Sequence, residues 1–598
     1  MIKRLRRNAR PAQRPGRARF NLRGRLALVA GAMGLCGVVL VGRAVDLQLI
    51  DNAFYQQKAD SRFLRELPIA TSRGMITDRN GEPLAISTPV ASLWANPQEL
   101  SRHPDRIAEL AAAINVDADE LARRVAQRAD KEFMYLPGQR RIHPAAAEEV
   151  LALEVPGVFS QREYRRFYPQ GEAMAHVLGF TNIDDRGQEG IELAFDDWLR
   201  GRPGVQKVIR DRRGRIVENV DLVRPAEPGR DLVLSIDRRI QFLAHRELRN
   251  ALVRTGASAG SAVVLDVATG EVLAMANLPA YNPHVITGGD RDARRNRAVT
   301  DLIEPGSTIK PLTVAAVLQA GLVTPSTRVD TSPGWMPNGR YRTSDVRNYG
   351  VLDVTGVITK SSNVGAAKLA AMLPDQQFYE ALRAFGFGQS TRSGFPGEAA
   401  GLFPDPGQWS GTSKQTISYG YGLSATPLQI AAAYAAIGND GRLPQPTFVK
   451  GQHGDARQAL EPAVADTVLR MMQTVTEPGG TATQARILGY HVAGKTGTSR
   501  KASGGGYSRR YVSFFAGLVP VENPRFSMAV VIDDPDPARG YYGGLVAAPV
   551  FQNVMEGVLR LMDVPPDDIE TWLAAQAESE GKRRAAAARA TALAGGGQ

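Results

Sequence analysis

The chain has 598 residues, 43% apolar and 22% charged, with a formal net charge of +12. That is room for two or three globular domains, and the balance excludes general disorder and fibrous repeats. A single cysteine, Cys36, excludes an intramolecular disulfide, and the seven histidines are scattered without the spacing of a structural zinc site.

The charge sits at one end. Residues 1–25 hold ten Lys and Arg and no acid, which leaves +2 for the rest of the chain. A nearly neutral body excludes a broad nucleic-acid-binding surface, and the arm reads as a cytoplasmic topology signal. Residues 26–42 follow, 17 uncharged and apolar positions, and the apolar helical rhythm continues through 43–50 without a clear cleavage site. The reading is a transmembrane signal anchor, N-terminus inside and the remainder beyond the membrane.

Residues 43–228 form a mixed segment with no nucleophile beside a base. An extended stretch at 67–89 contains the turn Asp78-Arg-Asn-Gly-Glu-Pro83, and helical rhythm follows at 104–127. The pattern predicts a folded, non-catalytic pedestal, and Arg224-Pro-Ala-Glu-Pro-Gly229 predicts a linker. From 229 to 577 a second domain is expected. Helical spacing at 238–252 precedes apolar runs at 261–267 and 272–276 around a short glycine turn, which predict a hairpin of central strands. A second pair is expected at 512–518 and 526–532, with helices at 312–320, 428–437 and 464–475 between the pairs. Strands at both ends predict one sheet built from distant parts of the chain, an α+β or three-layer α/β arrangement. Residues 578–598 are Ala-, Arg- and Gly-rich and predict a disordered tail. The glycine run at 504–506 lacks a following Lys-Ser/Thr, which argues against a phosphate loop.

Three boxes carry the chemistry: Glu304-Pro-Gly-Ser-Thr-Ile-Lys-Pro311, Lys360-Ser-Ser-Asn363 and Ala493-Gly-Lys-Thr-Gly-Thr498. Ser307 is placed to cap a helix, and Lys310, three residues on, shares its face. A serine hydroxyl needs a base, and a lysine is one only when neutral. Burial and a second cation such as Lys495 push its pKa down. Ser361 is suited to relay a proton, and Asn363 to bond both the lysine and a substrate amide. Thr496 and Thr498 offer hydroxyls to a terminal carboxylate, and Gly497 leaves room for a substrate strand. The backbone N–H groups of Ser307 and Thr498 are oxyanion-hole candidates. Each box alone is weak. Together, in this order, they are specific.

These boxes are similar to those of the penicillin-binding proteins, and the chain resembles class B of that family from the anchor to about residue 560. Arg73-Gly-Met-Ile-Thr-Asp-Arg-Asn-Gly-Glu-Pro-Leu-Ala85, His176-Val-Leu-Gly179 and Gly190-Ile-Glu192 resemble its pedestal motifs. The resemblance implies a β-lactamase-like transpeptidase fold with an antiparallel sheet, preceded by a dimerisation or partner-docking pedestal. It implies attack of Ser307 on a D-Ala-D-Ala stem peptide, transfer to an amine of a second stem, and covalent inhibition by β-lactams. No cofactor or metal is implied. Ser-Ser-Asn in the second box, where elongation enzymes usually carry Ser-x-Asp, resembles the septal branch. So do 495–501, 506–518 and Tyr541-Tyr-Gly-Gly-Leu-Val-Ala-Ala-Pro-Val-Phe551, where Tyr541 and Tyr542 either line the cleft or pack in the core. That branch implies an enzyme of the bacterial inner membrane with a periplasmic catalytic domain at the septum. No glycosyltransferase signature stands in the pedestal, so an FtsW-like glycan polymerase and other division proteins are implied as partners. The alternatives are an elongation transpeptidase, a D,D-carboxypeptidase or β-lactamase-type hydrolase, and a penicillin-sensing receptor or inactive scaffold. The anchor and pedestal argue against a secreted β-lactamase, and the short arm against a receptor.

Overall fold

The computed structural model describes residues 22–45, 64–210, 216–286, 291–503, 506–578 and 580. Most of the basic arm, residues 46–50 of the apolar rhythm, Gly504 and Gly505, and the tail beyond 580 lie outside these. The apolar stretch is one helix, Leu22–Val45, longer at both ends than the uncharged core that marked it. Arg23–Val45 is long and apolar enough to cross a membrane, and none of its apolar window is buried by the rest of the chain. The core helix of a soluble domain would be covered.

The pedestal is built on the pairing of strand Pro83–Ala95 with Val158–Phe167, in register from Ile86↔Phe167 to Ala95↔Val158. The turn ahead of it is set by Asp78, whose Oδ1 accepts from the N–H of Asn80 and Glu82 at 2.8 and 2.9 Å. The helical rhythm at 104–127 splits into Ile107–Ala113 and Ala118–Ala126, because Asn115 turns left-handed and Asp117 caps the second helix. These helices bury Leu110 and Leu121 against Leu93 and Leu100 in a small core of their own. The pedestal motifs meet around a buried carboxylate. Glu192 takes Nε of Arg73 and Nε of Arg166, both at 2.6 Å, and is fully buried. A charge this deep is tolerated because both oxygens are bonded to guanidinium.

The expected linker at 224–229 is packed structure instead. Arg202 and Glu227 exchange backbone hydrogen bonds at 2.8 and 2.9 Å, and a Cβ on Gly229 would lie 1.7 Å from the carbonyl oxygen of Leu199. Turn-forming residues here fit a crowded corner, not a free tether. Leu232–Val233 then adds in parallel to Ile76–Thr77. One continuous core joins Ile76, Leu84 and Leu178 to Leu234 and Ile240.

The catalytic unit has a five-stranded sheet: β1 (Ala259–Asp266), β2 (Val272–Leu278), β3 (Ala493–Ser503), β4 (Gly506–Val519) and β5 (Phe526–Asp533). The order is β2-β1-β5-β4-β3, antiparallel throughout, with β3 at the edge. Strands from both ends of the domain thus share one sheet, as their continuous apolar runs predict. Helices Arg238–Thr255 and Ala548–Leu561 pack together and against it, and Pro427–Gly438 packs on β1, β4 and β5. Pro427–Gly438 is buried nearly all round, which accounts for its lack of a polar face. The segment 320–426 resists reading from sequence. It holds the short pairs Arg328–Asp330 with Val351–Asp353 and Trp335–Asn338 with Tyr341–Ser344, and helices including Asn363–Ala370.

Candidate active site

Ser307 does not cap a helix. Pro305 and Gly306, the latter at φ +52°, lead into a 3-10 turn, Gly306–Ile309, and the α-helix Lys310–Gln319 starts only at the lysine. A capping serine would commit its oxygen to a backbone N–H. Here the hydroxyl of Ser307 has no hydrogen bond among the described residues, and the side chain is partly exposed. The turn is held from two sides. Gly306 N–H donates to Gly420 O at 3.0 Å, and Tyr434 OH donates to Thr308 O at 2.8 Å from the buried helix Pro427–Gly438. Gly420, at φ +92°, is close enough that a Cβ would stand 2.0 Å from Gly306 O.

Both lysines are fully buried. Nζ of Lys310 donates to Ser361 O at 2.6 Å, Ser361 Oγ at 3.2 Å and Asn363 Oδ1 at 2.7 Å. None of these acceptors carries a charge. Burial pushes the pKa of Lys310 well down, and the Lys495 cation pushes the same way, while Asp345 opposes them. Lys495 bonds Thr496 O at 3.1 Å and is lowered to about 7 by burial. An amine kept this dry is neutral, and a base, at pH values where a surface lysine is not.

Ser361 presents both its oxygens to Lys310 from a left-handed backbone, φ +59°. That conformation costs a non-glycine residue about 1–2 kcal/mol and persists only where neighbours impose it. They do so through Asp345. Its Oδ1 accepts the N–H of Asn363 at 2.5 Å and of Val364 at 3.0 Å, and its Oδ2 accepts Ser362 Oγ at 2.6 Å. Asn363 is fixed further by donating one Nδ2 proton to Ser344 O at 2.8 Å. The amide expected to serve both lysine and substrate therefore has one N–H committed and one left.

The third box lies within β3. Gly497 also fits a crowded approach: a Cβ there would meet Pro305 O and Thr308 Cγ2, both at 3.1 Å. It lets the edge strand lie against the Ser307 turn. Thr498 comes with it, its carbonyl oxygen 3.7 Å from where a Cβ on Gly306 would be. Thr496 Oγ1 pairs with Thr481 Oγ1 at 2.9 Å, and Thr498 Oγ1 accepts the Gly543 N–H at 3.1 Å. Tyr541 and Tyr542 are not core residues. They form a stack with Tyr511, ring centres 4.0 and 4.6 Å apart, next to Gly543, and Tyr542 is half exposed.

Sequence reasoning passed over Asp345, Tyr434 and Gly420. Asp345 stands 18 residues before Asn363, a separation that no local rule connects. Gly420 and Tyr434 likewise reach the Ser307 turn from more than a hundred residues away. No group of His, Cys, Asp and Glu among the described residues could hold a metal.

Two family models match: a penicillin binding protein transpeptidase domain over residues 260–556, and a penicillin-binding protein dimerisation domain over 68–234. The chain is 43% identical to the peptidoglycan D,D-transpeptidase FtsI of Escherichia coli, over 92% of this chain and 93% of that one. It is 42% identical to the probable peptidoglycan D,D-transpeptidase PbpC of Pseudomonas aeruginosa, over 91% and 96%. Penicillin binding protein 3 of Mycobacterium tuberculosis, solved in complex with aztreonam, superposes with a TM-score of 0.64 at 31% identity, covering 84% of this chain and 98% of that one. The chain belongs to the class B penicillin-binding proteins. It is a D-Ala-D-Ala transpeptidase, which cross-links peptidoglycan and binds β-lactams.

Because Gly420 seats the turn that carries Ser307, Gly420→Ala should displace Ser307. A shift of about 1 Å costs about 100-fold in rate, so second-order acylation by a fluorescent penicillin should fall by about that factor. Acylation at the wild-type rate would show that the turn does not depend on this contact.

Proposed function

We propose that the chain is a septal peptidoglycan transpeptidase working through an acyl-enzyme on Ser307, anchored by a single span with its N-terminus in the cytoplasm. Ser307 Oγ attacks the carbonyl carbon between the two D-Ala residues of a donor stem and passes its proton to neutral Lys310. N–H groups of Ser307 and Thr498 hold the oxyanion. Thr496 and Thr498 bind the terminal carboxylate, with Tyr541 and Tyr542 along the cleft. Ser361 passes a proton to the departing D-Ala amine and takes one back from Lys310, which is neutral again. An amine of a second stem then attacks the ester and loses its proton to Lys310, which returns it to Ser307 Oγ as the ester bond breaks. Residues 43–228 act as the pedestal and 229–577 as the catalytic domain. The anchor and pedestal dock an FtsW-like glycan polymerase.

What supports this most is the unpaired, buried Lys310, held by Ser361 and Asn363 three residues from an uncommitted serine. The test is covalent labelling of the detergent-solubilised chain by a fluorescent penicillin. Label that survives denaturation and is lost in Ser307→Ala is expected. Label that hydrolyses within seconds would instead favour a hydrolase.

Acylation needs Lys310 neutral, so its rate should rise with pH through the lowered Lys310 pKa. Lys495→Met removes a cation that lowers that pKa, so the acid limb should move to higher pH. An unmoved limb would remove Lys495 from the field around the base.

For the docking role, exchange of residues 26–42 for an unrelated spanning helix should leave penicillin labelling intact and impair cell division. Normal division after the exchange would exclude it.

A further inference from the structure

A second cavity, of about 390 Å³, contains no residue of the three boxes. It opens beyond the helix Asp375–Ala384, and its walls include Arg392 and Arg457, with Arg383 beside them. The charges acting on Arg457 are those of Arg392 and Arg383, both positive. Among the described residues no carboxylate forms an ion pair with any of the three. Arg457 is built into the wall, donating to Gln389 Oε1 at 3.1 Å and to the carbonyls of Arg383 and Ala384 at 3.3 and 2.9 Å. Arg392 is fixed by its backbone. It sits at φ +59°, its N–H bonds Ser390 Oγ at 3.0 Å, and its carbonyl takes Gln445 Nε2 at 2.7 Å. Its guanidinium donates to nothing among the described residues. In the same wall Thr391 Oγ1 is buried without a partner. Two acids stand near. Glu398 is occupied by Ser390 Oγ at 3.0 Å and Ser393 Oγ at 2.7 Å, and Asp455 lines the cavity unpaired.

A ligand-sized hollow with excess positive charge and an orphaned hydroxyl has one chemical complement. We propose that this cavity binds an oxyanion, a phosphate or a carboxylate, through Arg392 and Arg457 with Thr391 Oγ1 as a further donor. Guanidinium groups suit such ligands because they donate in a planar, paired geometry. The hollow lies in the size range of small-molecule sites. Gln429, in the same wall, closes the capping box of helix Pro427–Gly438, the helix whose Tyr434 holds the nucleophile turn. The site does not depend on which residue is acylated.

The test is calorimetric titration of the full chain in detergent with inorganic pyrophosphate. Arg392→Glu breaks none of the described hydrogen bonds, so it should keep wild-type penicillin labelling while weakening pyrophosphate by about tenfold or more. Thr391→Val should weaken it less. Absence of binding, or equal binding in Arg392→Glu, would overturn the site. Displacement by a soluble disaccharide-peptide would identify carboxylate as the ligand chemistry. Displacement by farnesyl pyrophosphate would identify phosphate. Displacement by neither would mark an inorganic anion alone and overturn a biological ligand.

Discussion

Two lysine side chains are buried here without a carboxylate bonded to either. Taking an ammonium out of water costs several kcal/mol even after relaxation, and much of the catalytic unit is arranged to bear that cost. Lys310 is answered by three uncharged oxygens. Two of them come from Ser361, which supplies them only because its backbone is held left-handed. Asp345 clamps the next three residues from outside the cleft. A carboxylate any closer would hold the lysine protonated. Placed behind the helix start, Asp345 stabilises the geometry while only partly offsetting the field.

The same economy shows around Ser307. Three glycines let backbone segments meet here: a Cβ on Gly420 would collide with Gly306 O, one on Gly497 would crowd Pro305 O, and Gly306 takes the left-handed φ of the turn. Ser307 is thereby positioned by peptide groups, and its own oxygen is spared. Thr308 is fixed from below by Tyr434, whose helix has no solvent-facing side and so cannot shift without disturbing the core.

Much of this was legible in the residues, and the remainder was not for definite reasons. The apolar runs of β1, β2, β4 and β5 announce a sheet buried on both faces, and the three boxes announce their chemistry by type and order. The N-terminal helix of membrane-spanning length is plain from hydropathy. The segment 320–426 was harder to read because its strands run only three or four residues and its α-helices six to ten, too short to set a strong period. Asp345 was invisible because its partners are distant in sequence. The supposed linker was misread because Pro and Gly serve a tight corner as well as a free loop; the contact of Gly229 with Leu199 and the pairing of Arg202 with Glu227 distinguish the two. The capping role given to Ser307 failed because the turn begins one helical type too early, as 3-10.

The order of strands sets the order of assembly. β5 lies between β1 and β4, so Ala259–Asp266 waits for Phe526–Asp533 before its free edge is covered. As the chain is made, β1 and β2 emerge first as a flat apolar hairpin, and more than two hundred residues must follow before the central strand arrives. Sheets closed by such distant pairing form slowly and leave sticky edges exposed meanwhile. The time between the first hairpin and the last strand is when this protein is most open to aggregation and most in need of a chaperone.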